Sequence, residues 1–269
     1  MKLLYFFDEY IKPRVSRGLK FCNPTNSGIL TERISCIRQN DVNIWFYNKN
    51  GTVIAFDSGH LNFPGLDAEF AKIKVDPLRI EYLFLTHADV DHAGGVDISG
   101  NNIFPNARIH VGKEEEQYLK GEMHRITKLK FIKIKNCVRL KEGYRLIEDG
   151  EIFWIDKIKV EAIHVPGHTL GHYCYLIDEK VLISGDCLAI NQNGGYAFFD
   201  FFTQFPEMNK KSLERLEKLL SDKNIESVCS GHSGFRTDIE KLFAFREQSA
   251  TFSRSNPFDK EAPRDFTKY

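Results

Sequence analysis

The apolar residues of this chain fall into short runs separated by polar loops, and most of these runs have the length and composition of β-strands. Runs rich in Val, Ile, Phe, Tyr and Trp are typical of strands that bury one or both faces. The predicted strands are residues 3–7, 42–47, 52–56, 80–85, 107–111, 151–155, 157–164, 172–177, 180–185 and 226–230. Asn50-Gly51, between the second and third runs, predicts a tight hairpin turn.

Other segments have the three- and four-residue apolar spacing of helices. The clearest spans residues 207–221, where Leu213, Leu216 and Leu220 share one stripe. Shorter helices are predicted at residues 67–74, 113–120 and 238–249. Residues 12–33 are rich in Pro, Gly, Asn and Ser, which predicts a loop.

The order of these elements predicts the architecture. Strands occur in clusters with helices between them, and no fixed-period repeat or low-complexity linker divides the chain. This pattern favours an α/β fold of two mixed β-sheets flanked by helices, a four-layer αββα sandwich, over a doubly wound parallel sheet. We expect a single domain over residues 1–269, with its core at about 34–250 and a polar tail at 251–269 that packs loosely or extends.

The charge balance and the cysteine content limit the binding partners and the cellular compartment that we expect for this protein. Lys+Arg and Asp+Glu both number 37, so no net charge steers the protein toward nucleic acid or an anionic membrane, and we expect neither partner. The six cysteines are scattered without a C-x-x-C pair, and the first residues lack the pattern of a leader. We therefore expect reduced cysteines and a cytoplasmic location. The sequence does not fix the oligomeric state, although a dimer is compatible with it.

The stretch from Thr86 to Gly95 concentrates metal-competent side chains. Directly after the predicted strand at 80–85 it carries His87, Asp89, Asp91 and His92, with no Lys or Arg among them. Carboxylates gathered in a cleft repel one another and raise one another's pKa, and a bound cation removes that conflict. The stretch therefore predicts a metal site.

Three later loops each place one more candidate ligand after an apolar run and beside glycine. These candidates are His168 in Gly-His-Thr, Asp186 in Ser-Gly-Asp and His232 in Gly-His-Ser. Ligand sites at the carboxyl ends of strands are the arrangement that α/β folds favour. The four loops are therefore expected to meet.

Taken together, these segments resemble the metallo-β-lactamase fold of hydrolases, in its lactonase and glyoxalase-II-like branch. The family motif T-H-x-H-x-D-H is followed by a distant G-H-T, a G-D and a final G-H, and preceded by D-x-G, here Asp57-Ser58-Gly59. The resemblance runs from about residue 34 to 235. It implies two divalent metal ions. The implied ligands are His87, Asp89 and His168 for one ion, Asp91, His92 and His232 for the other, and Asp186 as a bridge.

The resemblance also implies a reaction. A hydroxide bridging two metal ions would attack an ester-type bond in a small molecule, such as a lactone, a thioester or an amide. Asp91 would be catalytic, holding the nucleophile and later passing a proton to the leaving group. The lactonase-like branch places a tyrosine shortly after the bridging Asp, which makes Tyr196 a candidate substrate-binding residue.

The departure from the family pattern is Asp89, which stands where the motif has its second histidine. Zinc remains the first expectation, but a more oxygen-rich ligand set makes iron or manganese an alternative. Two other functions stay open: a metal-binding protein that binds a ligand without turnover, and a di-iron redox protein. The di-iron branch carries a carboxylate here and needs a flavodoxin domain. Only 37 residues (269 − 232) follow His232, so we expect redox activity only with a separate electron donor.

Other residues near these loops have simpler interpretations. We expect His172 to support the ligands and His60 to lie on the surface. The aromatic stretch at 196–205 is either core or a hydrophobic lid over the metals.

Overall fold

The structure, a computed structural model, describes residues 21–126, 133–134 and 137–250. The predicted strand at 3–7 and the tail at 251–269 lie outside the described residues.

The strands of the described chain are β1 (Gly28–Ile29), β2 (Ile34–Gln39), β3 (Val42–Lys49), β4 (Thr52–Phe56), β5 (Tyr82–Phe84), β6 (Arg108–Gly112), β7 (Arg125–Ile126), β8 (Lys133–Ile134), β9 (Arg145–Ile147), β10 (Ile152–Ile155), β11 (Ile158–His164), β12 (Tyr173–Ile177), β13 (Val181–Gly185), β14 (Leu188–Asn191), β15 (Gly194–Ala197), β16 (Ser227–Ser230), β17 (Gly234–Arg236) and β18 (Phe245–Ser249). The α-helices are α1 (Leu66–Ile73), α2 (Val90–Ala93), α3 (Glu116–Leu119) and α4 (Pro206–Leu220). Short 3₁₀ turns occur at Pro77–Arg79, Gly94–Val96 and Lys113–Glu115.

Two mixed sheets form the body of the protein. The first has the order β1-β2-β3-β4-β5-β6-β9, antiparallel up to β4 and parallel from β4 to β9. The second has the order β10-β11-β12-β13-β16-β17, in which only β13 and β16 run parallel. A smaller sheet has the order β14-β15-β18, and β7 and β8 form a separate antiparallel pair.

The apolar clusters show that the layers are stacked as predicted. One cluster fills the space between the sheets, with Trp45 and Phe84 of the first facing Tyr175 of the second. On the outer face of the first sheet, Phe70 of α1 joins a second cluster. The leucines of α4 join a third cluster on the outer face of the second sheet. The four-layer αββα sandwich is therefore confirmed.

Helix α4 offers a direct test of this packing. Leu216 is fully buried against the second sheet, whereas Leu219 on the same helix is 41% exposed. We expect Leu216→Ala to lower the free energy of unfolding by about 2–5 kcal/mol, because it leaves a cavity in a packed core. Leu219→Ala should lower it by less than about 1 kcal/mol. Urea denaturation of both variants measures the difference, and equal losses would contradict this position of α4.

The predicted helix at 238–249 is wrong. Residues 240–244 form turns, and Phe245–Ser249 is strand β18, which runs parallel to β15. The Phe245 ring stacks on Tyr196 with centroids 4.7 Å apart, and the Gly195 amide donates to the Lys241 carbonyl. These contacts with a distant segment outweigh the helical spacing of the local apolar residues.

Smaller differences concern the lengths of elements. The predicted strand at 80–85 is the three-residue β5, and the predicted helix at 113–120 is a 3₁₀ turn followed by the single turn α3. Strand β2 was not predicted, and it is stabilised by pairing with β1 on one side and β3 on the other. All six cysteines are free of disulfide bonds. Among the described residues, no helix combines the length and apolarity needed to cross a membrane.

Candidate metal centre

The candidate ligands converge at one edge of the sandwich, where strands of both sheets end. The loop after β5 carries His87 to His92, and the one-turn helix α2 holds the last two ligands of that motif. Asp186 follows β13, His232 follows β16, and His168 lies between β11 and β12. The first sheet therefore supplies one part of the centre and the second sheet supplies the other.

All seven predicted ligands belong to one cluster. Three groups have possible ligand atoms within 4.8 Å of one another: His87, Asp89 and His168; His87, His92 and Asp186; and Asp91, His92 and His232. These groups share His87 and His92, so they form a continuous array. The structure thus brings together every predicted ligand.

Asp186 occupies the middle of the array. Its Oδ1 lies 3.3 Å from His92 Nε2, and its Oδ2 lies 3.0 Å from His232 Nε2. The same Oδ2 is 3.8 Å from His168 Nε2 on the opposite side. Burial alone would raise the pKa of Asp186, but the charges of His232 and His92 hold this pKa well below its usual value. A carboxylate in this position can contact ions on both sides.

Glycine beside the last histidine allows this close approach. A Cβ atom on Gly231 would lie 2.3 Å from Asp186 Oδ1 and 2.7 Å from His92 Cε1. Any side chain there would therefore displace a candidate ligand.

Hydrogen bonds behind the cluster orient two of the imidazoles. His92 Nδ1 donates to Asp57 Oδ2 at 2.7 Å, and His232 Nδ1 donates to the carbonyl of Asp41. Each bond leaves the Nε2 atom facing the cluster. This is the usual arrangement for metal-bound histidine. Asp57 follows β4 in the left-handed backbone conformation, with φ of 61°, which Asp tolerates better than most residues.

The surroundings of His87 test whether the site fits a metal ion. The Thr86 hydroxyl donates to Asp57 and lies 2.9 Å from His87 Nδ1, so it can accept the Nδ1 proton. The fully buried His87 Nε2 has no hydrogen-bond partner in the described part of the chain. Burial holds the pKa of His87 well below its usual value, so the ring is neutral. A neutral imidazole with a buried, unpartnered nitrogen fits a divalent cation.

Asp91 is the most accessible of the seven candidates. Its side chain is 22% exposed, and its Oδ2 lies 3.3 Å from His232 Nε2. Desolvation would raise the pKa of Asp91, but the neighbouring His92 and His232 lower this pKa to about 2. At neutral pH the group is therefore a carboxylate at the mouth of the cluster.

Arg125 is a residue of the site that the sequence did not reveal. Its Nε donates to Asp89 at 3.2 Å, and the guanidinium is almost completely buried. The run from Thr86 to Gly95 contains no cation, and Arg125 stands 36 residues beyond Asp89, in a polar stretch without a recognisable motif. No signal in the sequence points to this pair.

Glu115 is the second such residue, and it joins two ligand loops. Its Oε1 accepts from the Ala88 amide at 2.9 Å, and its Oε2 accepts from the Gly171 amide at 3.0 Å. Burial raises the pKa of Glu115 to about 7, against the effect of the Ala88 amide. A Cβ atom on Gly171 would lie 2.1 Å from the Glu115 nitrogen, so glycine is required at this contact.

The remaining predictions for single residues had mixed outcomes. His172 supports the site as expected, because its Nε2 accepts from the Asp186 amide at 2.9 Å. The prediction that His60 lies on the surface is wrong: it is buried, with Nε2 3.2 Å from Asp41 Oδ1. Its contacts lie at the end of β2 and in the turn that follows: its amide donates to the Gln39 side chain at 2.7 Å, and Asp41 stands in that turn.

The predicted role of Tyr196 stays a prediction. Its ring is buried in β15, with its edge toward Phe21 at a centroid distance of 5.4 Å. Phe198 does contact candidate ligands: its ring centroid lies 5.1 Å from that of His168 and 5.7 Å from that of His232. The stretch at 196–205 thus contributes both to an aromatic core cluster and to the wall of the site.

Comparison with known proteins agrees with this geometry. The family model of the metallo-beta-lactamase superfamily matches residues 37–232. The chain belongs to this superfamily. The match includes all seven candidate ligands, and the αββα sandwich is the fold of the superfamily.

Several relatives in the superfamily are hydrolases. Hydroxyacylglutathione hydrolase GloC of Haemophilus influenzae is 27% identical over 237 residues, which cover 84% of this chain and 94% of that protein. An atrochrysone carboxyl ACP thioesterase of Pseudocercospora fijiensis is 26% identical over 111 residues, covering 40% of this chain but only 26% of its own length.

A solved structure shows the same fold. A B3 metallo-beta-lactamase, described as the first with an active-site glutamic acid, superposes with a TM-score of 0.57. It is 15% identical, and the match covers 81% of this chain and 85% of that one.

Proposed function

We propose that the protein is a metal-dependent hydrolase that cleaves an ester-type bond in a small molecule, with thioesters as the first substrate class. The observation that carries this proposal is the continuous cluster of seven ligand-type side chains around Asp186. The hydrolase from H. influenzae, whose name describes a glutathione thioester as substrate, supports the choice of class.

The array suits two divalent metal ions, one near His87, Asp89 and His168 and one near Asp91, His92 and His232. Zinc is the first candidate, and Asp89 makes iron or manganese alternatives. When bound, such ions supply a hydroxide at neutral pH and polarise the scissile carbonyl. His87, His92 and His232 present their Nε2 atoms, and Asp186 lies between the two groups.

Asp91 is the proposed catalytic residue. It is ionised at neutral pH, and it lies at the accessible side of the cluster in the first turn of α2. There it is placed to accept a hydrogen bond from the attacking nucleophile and to pass that proton to the leaving group. No separate general base is needed in this scheme.

The wall of the site suits an apolar acyl group. Phe198 packs edge-on against His168 and contacts Phe199, whose ring centroid is 5.2 Å away. Aromatic walls bury acyl carbon atoms and exclude water from the reacting carbonyl. We therefore propose an acyl thioester with an apolar acyl part as substrate.

The proposal is tested with protein purified without added metal. We expect elemental analysis to find a bound divalent metal, and hydrolysis of a glutathione thioester to disappear after chelation. Adding back Zn²⁺, Mn²⁺ or Fe²⁺ should restore it. The panel includes a lactone, an amide and a phosphodiester. Metal-loaded protein that is inert toward every compound would refute the proposal in favour of ligand binding without turnover. Iron content with dioxygen consumption would indicate the redox function.

A further inference from the structure

Arg125 brings a permanent positive charge into one side of the candidate metal centre. Its Nε lies 3.0 Å from Asp89 Oδ1 and 3.2 Å from Asp89 Oδ2. Its Nη2 donates to the Phe202 carbonyl at 2.6 Å, and its Nη1 donates to the His168 carbonyl. A buried guanidinium held by a carboxylate and two carbonyls has a fixed position.

The same guanidinium engages a candidate ligand atom. Nη2 lies 3.1 Å from His168 Nε2, the nitrogen that faces Asp89 and Asp186. Arginine has no lone pair to offer, so His168 Nε2 must be the acceptor of this hydrogen bond. A lone pair that accepts from Arg125 is not available to a metal ion. Arg125 therefore affects the first group twice, by neutralising Asp89 and by engaging His168.

On the other side of the cluster, the described part of the chain places no arginine or lysine in an ion pair with a candidate ligand. Within the described residues, the ion pairs of Asp91 and Asp186 are all with histidines. The Nε2 atoms of His92 and His232 lie 3.4 Å apart and both face these carboxylates. The two halves of the centre thus differ in charge although each has three ligand-type side chains.

A role for Arg125 in anchoring substrate fits the contacts less well. Arginine has five N–H donors. Those of Arg125 face Asp89, the carbonyls of His168 and Phe202, His168 Nε2 and, at 3.5 Å, Gln204 Oε1. Protein acceptors thus account for all five, and the guanidinium acts on the ligands rather than on a substrate.

We propose that Arg125 is a positioning residue that acts as a resident counter-cation for Asp89, so that the protein binds its two metal ions in unequal steps. The first ion binds at Asp91, His92 and His232, with Asp186. The second binds at His87, Asp89 and His168 only when Arg125 releases His168 Nε2. This inference rests on the proposed function, because it assumes that both groups hold metal.

The test measures metal retention rather than activity. Full-length protein loaded with two equivalents of Zn²⁺ is dialysed against a series of chelator-buffered free-zinc concentrations, and the zinc retained per chain is measured. We expect the wild type to lose one ion at a free-zinc concentration at least about ten-fold higher than the other, because the guanidinium repels a dication. Wild-type protein that loses both ions in one step would overturn the inference.

Arg125→Met removes the competing charge. In this variant we expect the weaker step to tighten by at least about ten-fold, while the tighter step changes by less than about three-fold. The matched control is Arg215→Met, because Arg215 also donates to a histidine carbonyl and to a carboxylate but lies on the exposed side of α4. An unchanged weaker step in Arg125→Met would contradict the proposal.

A double variant covers the case in which Arg125→Met leaves the buried Asp89 carboxylate without its permanent cation and the protein does not fold. Asp89→His with Arg125→Met removes both charges and gives three imidazoles, so its weaker step should also tighten. The outcomes separate this inference from the proposed function. Equal binding of two ions with thioester hydrolysis refutes only the role of Arg125. Unequal binding without hydrolysis refutes only the hydrolase, and protein without bound metal refutes both.

Discussion

Asp186→Asn is expected to reduce kcat/KM for thioester hydrolysis by at least about 100-fold and to lower the metal content of the purified protein. Residues that only orient metal ligands already contribute 10- to 100-fold, and Asp186 belongs to the ligand cluster itself. It reaches histidines of both groups, with Oδ2 at 3.0 Å from His232 Nε2 and 3.8 Å from His168 Nε2. A neutral amide keeps the shape but offers one oxygen and no charge.

The control for Asp186→Asn is Asp238→Asn. Asp238 is an exposed carboxylate whose ion-pair partner is Arg236, at the end of the same sheet. We expect this variant to retain wild-type metal content and activity. Circular dichroism and thermal unfolding establish that both variants are folded. A folded Asp186→Asn protein with full metal content and undiminished kcat/KM would refute the bridging position of Asp186.

Asp57→Ala is expected to have the largest effect on stability. The carboxylate of Asp57 accepts hydrogen bonds from the Thr86 amide at 2.7 Å, the Thr86 hydroxyl and His92 Nδ1, and the residue is 1% exposed. Removing it leaves these donors buried without a partner. We expect the free energy of unfolding to fall by about 3–5 kcal/mol, which denaturant titration of metal-free protein measures.

A second variant distinguishes the effect of losing the carboxylate from the effect of placing alanine in the left-handed backbone conformation. Asp156 has φ of 51°, close to the 61° of Asp57, but it lies exposed in the turn between β10 and β11. Asp156→Ala should therefore lower the free energy of unfolding only slightly. We expect its loss to exceed that of a typical surface substitution by less than about 1 kcal/mol. Asp57→Asn keeps the shape of the side chain and is expected to weaken metal binding by about 10- to 100-fold, because a single amide oxygen cannot replace the two carboxylate oxygens that accept from the Thr86 amide and from His92 Nδ1. Equal destabilisation by Asp57→Ala and Asp156→Ala would mean that backbone strain, rather than the hydrogen bonds, causes the loss.

The central part of the second sheet could be predicted because two of its strands are apolar over almost their full length. Strand β12 is buried at all five positions, and β13 is as well, so continuous apolar runs marked them in the sequence. The segment at 238–249 could not be assigned correctly, because its conformation depends on a contact with a distant part of the chain. Its apolar spacing suits a helix, and only the stacking of Phe245 on Tyr196, far away in sequence, makes its last part a strand.

The candidate ligands could be predicted because His87, Asp89, Asp91 and His92 follow one apolar run closely, and the three others each stand after an apolar run and beside glycine. The residues that neutralise a candidate ligand or connect the ligand loops could not be predicted from the sequence. Arg125 meets Asp89 across 36 positions, and Glu115 meets Gly171 across 56. Both lie in polar segments, and in such segments the local sequence does not distinguish a charged residue that is buried from one that is exposed to solvent. Asp89 was recognised as a departure from the family motif, but its compensating charge is visible only in three dimensions.

Glu115 has a further consequence for how the centre forms. It connects a loop of the first sheet, at Ala88, with a loop of the second, at Gly171, by hydrogen bonds that involve no metal ligand side chain. The conformational entropy lost in bringing the two sets of ligands together is therefore lost during folding and not during metal binding. If the proposed ions bind, the loops that carry the candidate ligands are already in place, and only Arg125 has to move; we therefore expect one divalent metal to exchange for another without unfolding of the sandwich.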